Sequence, residues 1–272
     1  LAEAMAFSWW WAPVAFSILL IGITKSGFGS GMGLIIVPIC TISLARIRDD
    51  GAAAALAMLL PLLIAGDLIA LWQHRRSLGM RIVSRLLPGT AAGVVVGSLL
   101  LRWFKGQPAD VAAALIRMEI GFESVLLVGL QWWRNWQGIP RDVYRPKAWH
   151  SHGIGLFAGV SSTLAHMAGP IIAVYLLPQR LERRLFVGTC ALYFFLLNTA
   201  KLPAYWHSGL FEMMAPLDSL RWLPLVMAGA AVGLAILRRV SDAAFARFVY
   251  AATFLLGWYI LIDGSVRLWH AT

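Results

Sequence analysis

The sequence has little charge. Only 13% of its 272 residues are charged, whereas 60% are hydrophobic and the mean hydropathy is +0.73. This composition excludes an ordinary water-soluble domain, because polar residues are too few to cover a soluble surface. Several apolar runs reach the roughly 20 residues that cross the hydrocarbon core of a bilayer. The composition therefore predicts an integral membrane protein.

Cysteine and acidic residues are also scarce. Cys40 and Cys190 lie in aliphatic surroundings, without the spacing of a disulfide framework or a metal site. The 13 acidic residues are outnumbered by 23 lysines and arginines, which gives a net charge of +10. These basic residues sit mostly in short loops between apolar runs, where they set membrane topology, so no nucleic-acid partner is predicted. No nucleophile triad, phosphate-binding loop or metal-ligand spacing occurs, so we expect no enzyme, no cofactor and no metal.

Apolar runs and polar loops divide the chain into two halves. The first half, 1–133, contains a glycine-broken element followed by three spans, at 9–45, 51–72, 86–102 and 110–133. Residues 134–152 form the longest polar stretch and are interpreted as a linker. The second half, 153–272, repeats the plan at 153–178, 185–206, 222–238 and 242–262. The predicted fold class is an all-α integral membrane protein, a polytopic helical bundle.

The two halves carry matching sequence features. The stretch 24–38 (TKSGFGSGMGLIIVP) is echoed by 161–177 (SSTLAHMAGPIIAVYLL), and Gly169 lies 136 residues after Gly33. Pro88, Gly93 and Gly97 recur at the same offset as Pro224, Gly229 and Gly233. Such collinear matches indicate an internal repeat. Glycine interruptions at corresponding places in two hydrophobic halves point to a transport site.

The distribution of basic residues predicts the topology. If each broken element is a hairpin, thirteen lysines and arginines fall on one side of the membrane and six on the other. If each element crosses once, the same residues divide ten to nine and the bias disappears. Because basic residues collect in the cytoplasm, the hairpin alternative is favoured, with the 134–152 linker cytoplasmic. Each half then has an odd number of crossings, which makes the repeats inverted; whether the hairpins are re-entrant or cross fully stays open.

The broken elements are the predicted binding site. Irregular backbone at membrane depth must line a cavity or be buried in protein. Short helices that begin after Gly33 and Gly169 would direct their positive ends to one central point, which suits an anion. The alternative is that these glycines only permit close helix packing. The candidate substrate-binding residues are Lys25, Ser26, Gly27, Gly29, Gly31, Gly33, Thr163, His166, Gly169, Pro170, Asn198 and Lys201.

Ionisable residues inside apolar spans add further candidates. Such residues are costly in lipid and are functional candidates by default. Lys25 and Lys201 have the alternative of extending to the interface. Asp67, Arg117 and Glu119 are predicted to couple transport or to form a structural ion pair, in which Arg117 would pair with Glu119. His166 can donate to an anion and titrate near neutral pH, or it can be a hydrogen-bonded structural residue.

These residues also carry a family resemblance. The segments TLAHMAGPIIAVYLLPQRL (163–181), FVGTCALYFFLLNTAKLPAYWHSGLF (186–211) and KSGFGSGMGLIIVP (25–38) resemble the motifs of the TauE/SafE family of sulfite-exporter-like membrane proteins. Ser30, Met32 and a lone Gly169 depart from the family's denser glycine pattern. The resemblance implies a multi-pass protein of the bacterial cytoplasmic membrane that exports sulfite or a related organosulfonate or sulfur-containing anion.

Alternatives remain at this point. A passive anion channel of the same architecture, an importer of another small organic anion and a scaffold without transport are the other hypotheses. The expected partners are the anion and membrane lipid, while proton coupling and a homodimer stay open. The sequence does not identify the anion, the direction of transport, the coupling ion or the oligomeric state.

Overall fold

The computed structural model describes residues 8–27, 32–138, 146–236 and 242–271, and within these ranges the regular structure is entirely helical. The predicted site residues Gly29 and Gly31, and the middle of the linker, lie outside the described residues. Thirteen α-helices occur in the described ranges: α1 (Trp11–Gly27), α2 (Ile36–Ala45), α3 (Gly51–His74), α4 (Met80–Lys105), α5 (Ala109–Gln137), α6 (Ala148–Ala165), α7 (Ala168–Leu176), α8 (Arg183–Ala200), α9 (Leu202–His207), α10 (Leu210–Met213), α11 (Pro216–Leu220), α12 (Leu223–Ile236) and α13 (Asp242–Ala271).

Four helical segments of the described chain are long and apolar enough to cross a membrane: Gly51–His74, Met80–Lys105, Arg183–His207 and Ala246–Ala271. Large apolar side chains also face outwards from α4, α5 and α13, for example Leu99 (63% exposed), Phe122 (55%) and Leu255 (69%). Apolar surface of this extent is not tolerated in water and is what lipid requires. The chain is therefore an integral multi-pass membrane protein.

The two broken elements each consist of two short helices. A 3-10 turn, Met32–Ile35, leads into α2, and the predicted hairpin glycine Gly33 lies within it. Between α6 and α7 the break falls at His166, whose left-handed backbone (φ 56°) ends α6. Pro170 lies in the first turn of α7, where the missing N–H removes no helical hydrogen bond.

The predicted span 185–206 lies within the apolar segment Arg183–His207, but its helix is interrupted at one residue. Helix α8 ends at Ala200, Lys201 lies between helices, and α9 begins at Leu202 with Pro203 in its first turn. A proline there cannot donate to the carbonyl of Thr199, so the α-helical ladder is interrupted. Other ends differ only in extent: α4 begins at Met80 and α13 continues to Ala271, because polar flanking turns remain helical where hydropathy falls.

The glycine face of α4 packs closely on α6, as its spacing predicts. A Cβ atom added at Gly89 would meet the His152 carbonyl oxygen at 1.9 Å, and one added at Gly93 would meet the Leu156 carbonyl oxygen at 2.2 Å. Helices α1 and α12 approach in the same way, since a Cβ at Gly229 would meet the Leu19 carbonyl oxygen at 2.1 Å. Small residues allow this contact between backbones inside a membrane.

Helix α3 lies at the centre of the bundle and contacts α1, α2, α5, α8 and α12. Its first half is almost completely buried, from Gly51 to Leu63. A second group of buried side chains joins α4, α6, α7 and α8. Between these groups the ends of α1 and α6, the starts of α2 and α7, and the middles of α3 and α8 enclose a cavity.

Candidate functional site

The central cavity has a volume of about 80 Å³, enough for a few water molecules or one small ion. It is lined by the broken elements and by α3 and α8. Most of its wall is aliphatic, contributed by residues such as Leu34, Leu63 and Val187. Its polar and small lining residues are Thr24, Lys25, Asp67, Ser162, His166, Gly169 and Asn198.

One side of the cavity is an ion pair between α1 and α3. The Lys25 Nζ donates to Asp67 Oδ1, and the Asn198 Nδ2 donates to Asp67 Oδ2 at 2.6 Å. Asp67 is fully buried, whereas 21% of the Lys25 side chain is exposed. The Lys25 ammonium also lies 4.7 Å from the centre of the Phe194 ring. Both carboxylate oxygens of Asp67 therefore have donors, and its negative charge is balanced by Lys25.

A buried lysine lies directly behind the cavity residues Ser162 and His166. Lys201 has no solvent exposure, and its ammonium contacts Ser162 O at 2.9 Å, Ser162 Oγ at 2.9 Å and His166 Nδ1 at 2.7 Å. An ammonium has three N–H donors, and three acceptors converge on this one. Within the described ranges no carboxylate forms a salt bridge with Lys201. Its positive charge is therefore not neutralised by a direct partner, unlike that of Lys25.

The contacts of His166 define its tautomer. Its Nδ1 faces the Lys201 ammonium and must accept, so its Nε2 carries the hydrogen and donates to Leu56 O at 3.0 Å. A proton on Nδ1 would face the ammonium, so this arrangement holds a neutral imidazole. The sequence suggested that a protonated His166 donates to the anion; this geometry instead gives both ring nitrogens protein partners.

Tyr205 supports this network from α9. Its hydroxyl donates to Thr163 O at 2.8 Å and lies 3.4 Å from His166 Nε2. The Thr163 hydroxyl donates to Gly159 O at 2.8 Å, and Thr163 is not among the lining residues of the cavity. Thr163 therefore holds the network by its backbone, and its side chain does not face the cavity.

A third buried group lies behind α6. Glu119 and Glu123 lie one turn apart on the same face of α5, and Glu123 Oε2 accepts a hydrogen bond from Ser161 at 2.7 Å. Two buried carboxyl groups at this spacing repel each other when both are ionised, which favours a proton on one of them. Ser161 precedes Ser162, the lysine's partner. The carboxyl pair is thus one residue away from the Lys201 network.

The predicted pairing of Arg117 with Glu119 is wrong. Arg117 Nε lies 3.5 Å from Asp263 Oδ2 on α13, and Glu119 faces Glu123. Residues two apart on an α-helix point to different sides, so these two side chains cannot meet. Neither Arg117 nor Glu119 lines the central cavity. Asp67 is paired, but its partner is Lys25.

The structure brings most of the described candidates together. Lys25, His166, Gly169, Pro170 and Asn198 line the central cavity. Lys201 lies directly behind Ser162 and His166. Ser26 and Gly27 are the last residues of α1, and Gly33 lies in the turn before α2.

Sequence reasoning missed Ser162 and Tyr205. Their helical spacing carries a signal in hindsight: Ser162 is four residues before His166, and Tyr205 is four residues after Lys201. Side chains at this spacing share a helix face. Nothing local to the sequence, however, indicates that both faces are directed at the same point.

The arrangement suits the binding of an anion. It combines an unneutralised buried cation, a serine hydroxyl and the amino-terminal turn of α7, whose Gly169 lines the cavity. Among the described residues, no group of three or more His, Cys, Asp or Glu side chains is placed to hold a metal ion.

Comparison with known proteins identifies the family of this chain. The sequence model of the family described as "Sulfite exporter TauE/SafE" matches residues 14–260, which is nearly the whole chain. No curated protein and no solved structure matches the chain. The members of this family are membrane transporters and not enzymes. The extent of the match, together with the multi-pass helical fold, shows that this chain belongs to the TauE/SafE sulfite exporter family.

Proposed function

We propose that this protein is a secondary transporter that exports a small oxyanion, sulfite or a related organosulfonate, across the bacterial cytoplasmic membrane. The observation that carries the proposal is Lys201, a fully buried lysine beside the central cavity with no carboxylate salt bridge in the described part of the chain. An unneutralised ammonium is costly inside a membrane protein. A bound anion would supply the missing charge.

The anion would sit between Ser162 and the first turn of α7. The Ser162 hydroxyl accepts from Lys201, so its own hydrogen is free to point into the cavity towards an oxyanion. The backbone of Gly169 approaches from α7. Lys25 is paired with Asp67 and would act on the anion through its electric field more than by direct contact. The aliphatic remainder of the wall excludes water and strengthens these interactions.

We further propose that the two halves are inverted repeats. The contact of Gly93 on α4 with Leu156 on α6 is matched by the contact of Gly229 on α12 with Leu19 on α1. Gly229 follows Gly93 by 136 residues, and Leu156 follows Leu19 by 137. Exchanging the halves therefore maps one helix contact onto the other. Such symmetry supports alternating access, in which one half moves against the other around a fixed central site.

Proton coupling is proposed through the Glu119–Glu123 pair. The two buried carboxyl groups would share one proton, and Ser161 connects Glu123 to the turn that carries Ser162. Loss of that proton would place two negative charges on α5 near the anion path and disfavour anion occupancy. Flux would then depend on the proton gradient, which separates this mechanism from a passive channel of the same architecture.

The proposed function can be tested with purified and reconstituted protein. Sulfite or an organosulfonate is expected to raise the melting temperature saturably, more than sulfate or chloride at the same ionic strength. Proteoliposomes loaded with sulfite should show saturable efflux that responds to an imposed pH gradient. Currents far above carrier turnover, without dependence on the gradient, would favour the channel. If no oxyanion produces either stabilisation or flux, the result contradicts anion transport altogether.

A further inference from the structure

A second polar pocket lies at the opposite end of α2 from the central cavity. We call it the arginine pocket; it has a volume of about 60 Å³, and its polar lining is Thr41, Arg46, Arg117, Tyr259, Asp263 and Arg267. These residues come from α2, α5 and α13, three helices far apart in sequence. The two pockets share no lining residue. They are nevertheless close. Val37 lines the central cavity and Thr41 lines the arginine pocket, and these two residues are one helical turn, or about 6 Å, apart on α2.

The arginine pocket carries an excess of positive charge. Three guanidinium groups line it, but only one carboxylate does, that of Asp263. The same oxygen, Asp263 Oδ2, accepts from Arg267 Nε at 2.9 Å and lies 3.5 Å from Arg117 Nε. A neighbouring depression, which Arg117 and Arg267 also line, holds the carboxylates of Asp49, Asp50 and Asp110. Within the arginine pocket itself, three positive charges face one negative charge.

The three arginines of the pocket differ in how deeply they are buried. Arg117 is only 3% exposed, although it lies in a helix with an apolar outer face. The side chains of Arg267 (51% exposed) and Arg46 stand at the mouth, and Arg46 is oriented by its hydrogen bond to the Tyr259 hydroxyl at 2.8 Å. A guanidinium at the base with two at the rim resembles a funnel that guides an anion inwards.

An independent observation points to a ligand. Thr41 lines the pocket, is 1% exposed, and its hydroxyl has no hydrogen-bond partner. By contrast, the buried threonines Thr24, Thr90 and Thr163 each donate to the carbonyl four residues earlier. A buried hydroxyl without a partner costs free energy unless something occupies the space it faces.

We propose that the arginine pocket is a second anion site, which binds one oxyanion group between the guanidinium groups of Arg117 and Arg267 and the hydroxyl of Thr41. The guanidinium donors match the oxygens of sulfite, sulfate or phosphate groups, and the hydroxyl supplies a further donor. The ligand is either a free oxyanion or the phosphate of a lipid headgroup. On the topology predicted from basic residues, this end of the bundle is the non-cytoplasmic one. A free anion would therefore occupy the pocket after it leaves the central cavity.

The role in anion exit depends on the proposed function, but binding at the pocket does not. The test therefore uses Lys201→Met protein, in which the central cavity has lost its cation. Equilibrium binding of radiolabelled sulfate should remain saturable in this background. Adding Thr41→Val or Arg267→Gln should weaken it roughly tenfold each, the effect of losing one hydrogen bond to a charged group.

Matched controls separate binding from folding. Thr253 is also a fully buried threonine whose hydroxyl lacks a partner, but it does not line the pocket. Thr253→Val should leave sulfate binding unchanged, as should Arg221→Gln, which alters an exposed arginine paired with Asp218. Because the Thr41 hydroxyl makes no protein hydrogen bond, Thr41→Val should not lower the melting temperature of the anion-free protein.

A measurement in two lipid compositions identifies the source of the oxyanion. The same measurement is made in nanodiscs of phosphatidylcholine with and without phosphatidylglycerol. If phosphatidylglycerol competes with sulfate, and Thr41→Val removes the competition, the pocket binds a lipid phosphate. If sulfate affinity is independent of phosphatidylglycerol, it binds the free anion. Two results would overturn the second site. In the first, sulfate does not bind saturably and phosphatidylglycerol has no effect. In the second, sulfate binds but Thr41→Val and Arg267→Gln leave its affinity unchanged.

Discussion

Replacing Lys201 by methionine is the most direct test of the central cavity. Methionine keeps most of the length and apolar character of the side chain but removes the charge and three donors. The lost contacts are those to Ser162 O, Ser162 Oγ and His166 Nδ1. The consequences for stability and for binding differ, and both follow from the local geometry.

The cost in stability is expected to be small. Ser162 O still accepts from the His166 backbone N–H at 3.0 Å, and the Ser162 hydroxyl can rotate to another acceptor. Only His166 Nδ1 is left without a donor, which costs about 1–3 kcal/mol. Removing a buried ammonium relieves a desolvation penalty of comparable size. The melting temperature of the anion-free protein should therefore change little.

The cost in binding is expected to be large. An anion across the Ser162 and His166 side chains would lie on the order of 6 Å from the ammonium, where two unit charges attract by about 3 kcal/mol at an effective dielectric constant of 20. Affinity for sulfite should fall roughly 100-fold. The assay is sulfite-dependent thermal stabilisation or calorimetry on three proteins that all carry Thr41→Val and Arg267→Gln, which weaken the arginine pocket: the parent, Lys201→Met and the matched control Lys105→Met. Lys105 donates to Gly209 O at 2.9 Å and does not line the cavity, so its variant should bind normally.

A stable Lys201→Met protein with the sulfite affinity of the parent would refute the reasoning, because it would show that the ammonium contributes nothing to anion binding. Equal losses in Lys201→Met and Lys105→Met would show a general effect of net charge. A variant that unfolds without anion would show that the three contacts of Lys201 are needed for folding.

Three further predictions concern the network, the packing and the topology. His166→Gln should retain anion affinity, because an amide can accept a hydrogen bond from Lys201 and also donate one to Leu56 O on α3. His166→Leu should lose anion affinity. Equal affinity in the two variants would show that the His166 network does not contribute to binding. Gly93→Ala and Gly229→Ala should each lower the free energy of unfolding by about 1–3 kcal/mol, because the added Cβ would meet a carbonyl oxygen of the facing helix. Gly129→Ala, with nothing within 4 Å, should have little effect on the melting temperature, and equal effects in all three would contradict the packing argument. Arg141→Cys should be labelled by a membrane-impermeant maleimide only from the cytoplasmic side, since both native cysteines are buried; labelling from outside would reject the predicted topology.

Properties with a local physical cause could be predicted from the sequence. The lipid-facing composition needs only a count of apolar residues, and family membership follows from contiguous motifs around the broken elements. The packing face of α4 needs only the four-residue spacing of Gly89, Gly93 and Gly97, because that spacing repeats on one side of any α-helix. The sequence also indicated that the broken elements would face a cavity, since lipid cannot satisfy irregular backbone.

Only the tertiary structure decided which partner each polar side chain has. Asp67 pairs with Lys25 from 42 residues earlier, and Arg117 pairs with Asp263 on a helix that no local pattern connects to α5. The break at Lys201 placed that residue between two helices, fully buried and facing His166, although hydropathy predicted a continuous span. The physical reason is that the sequence defines the faces of each helix by its own periodicity. The rotation and depth at which two helices meet depend on the packing of the whole bundle.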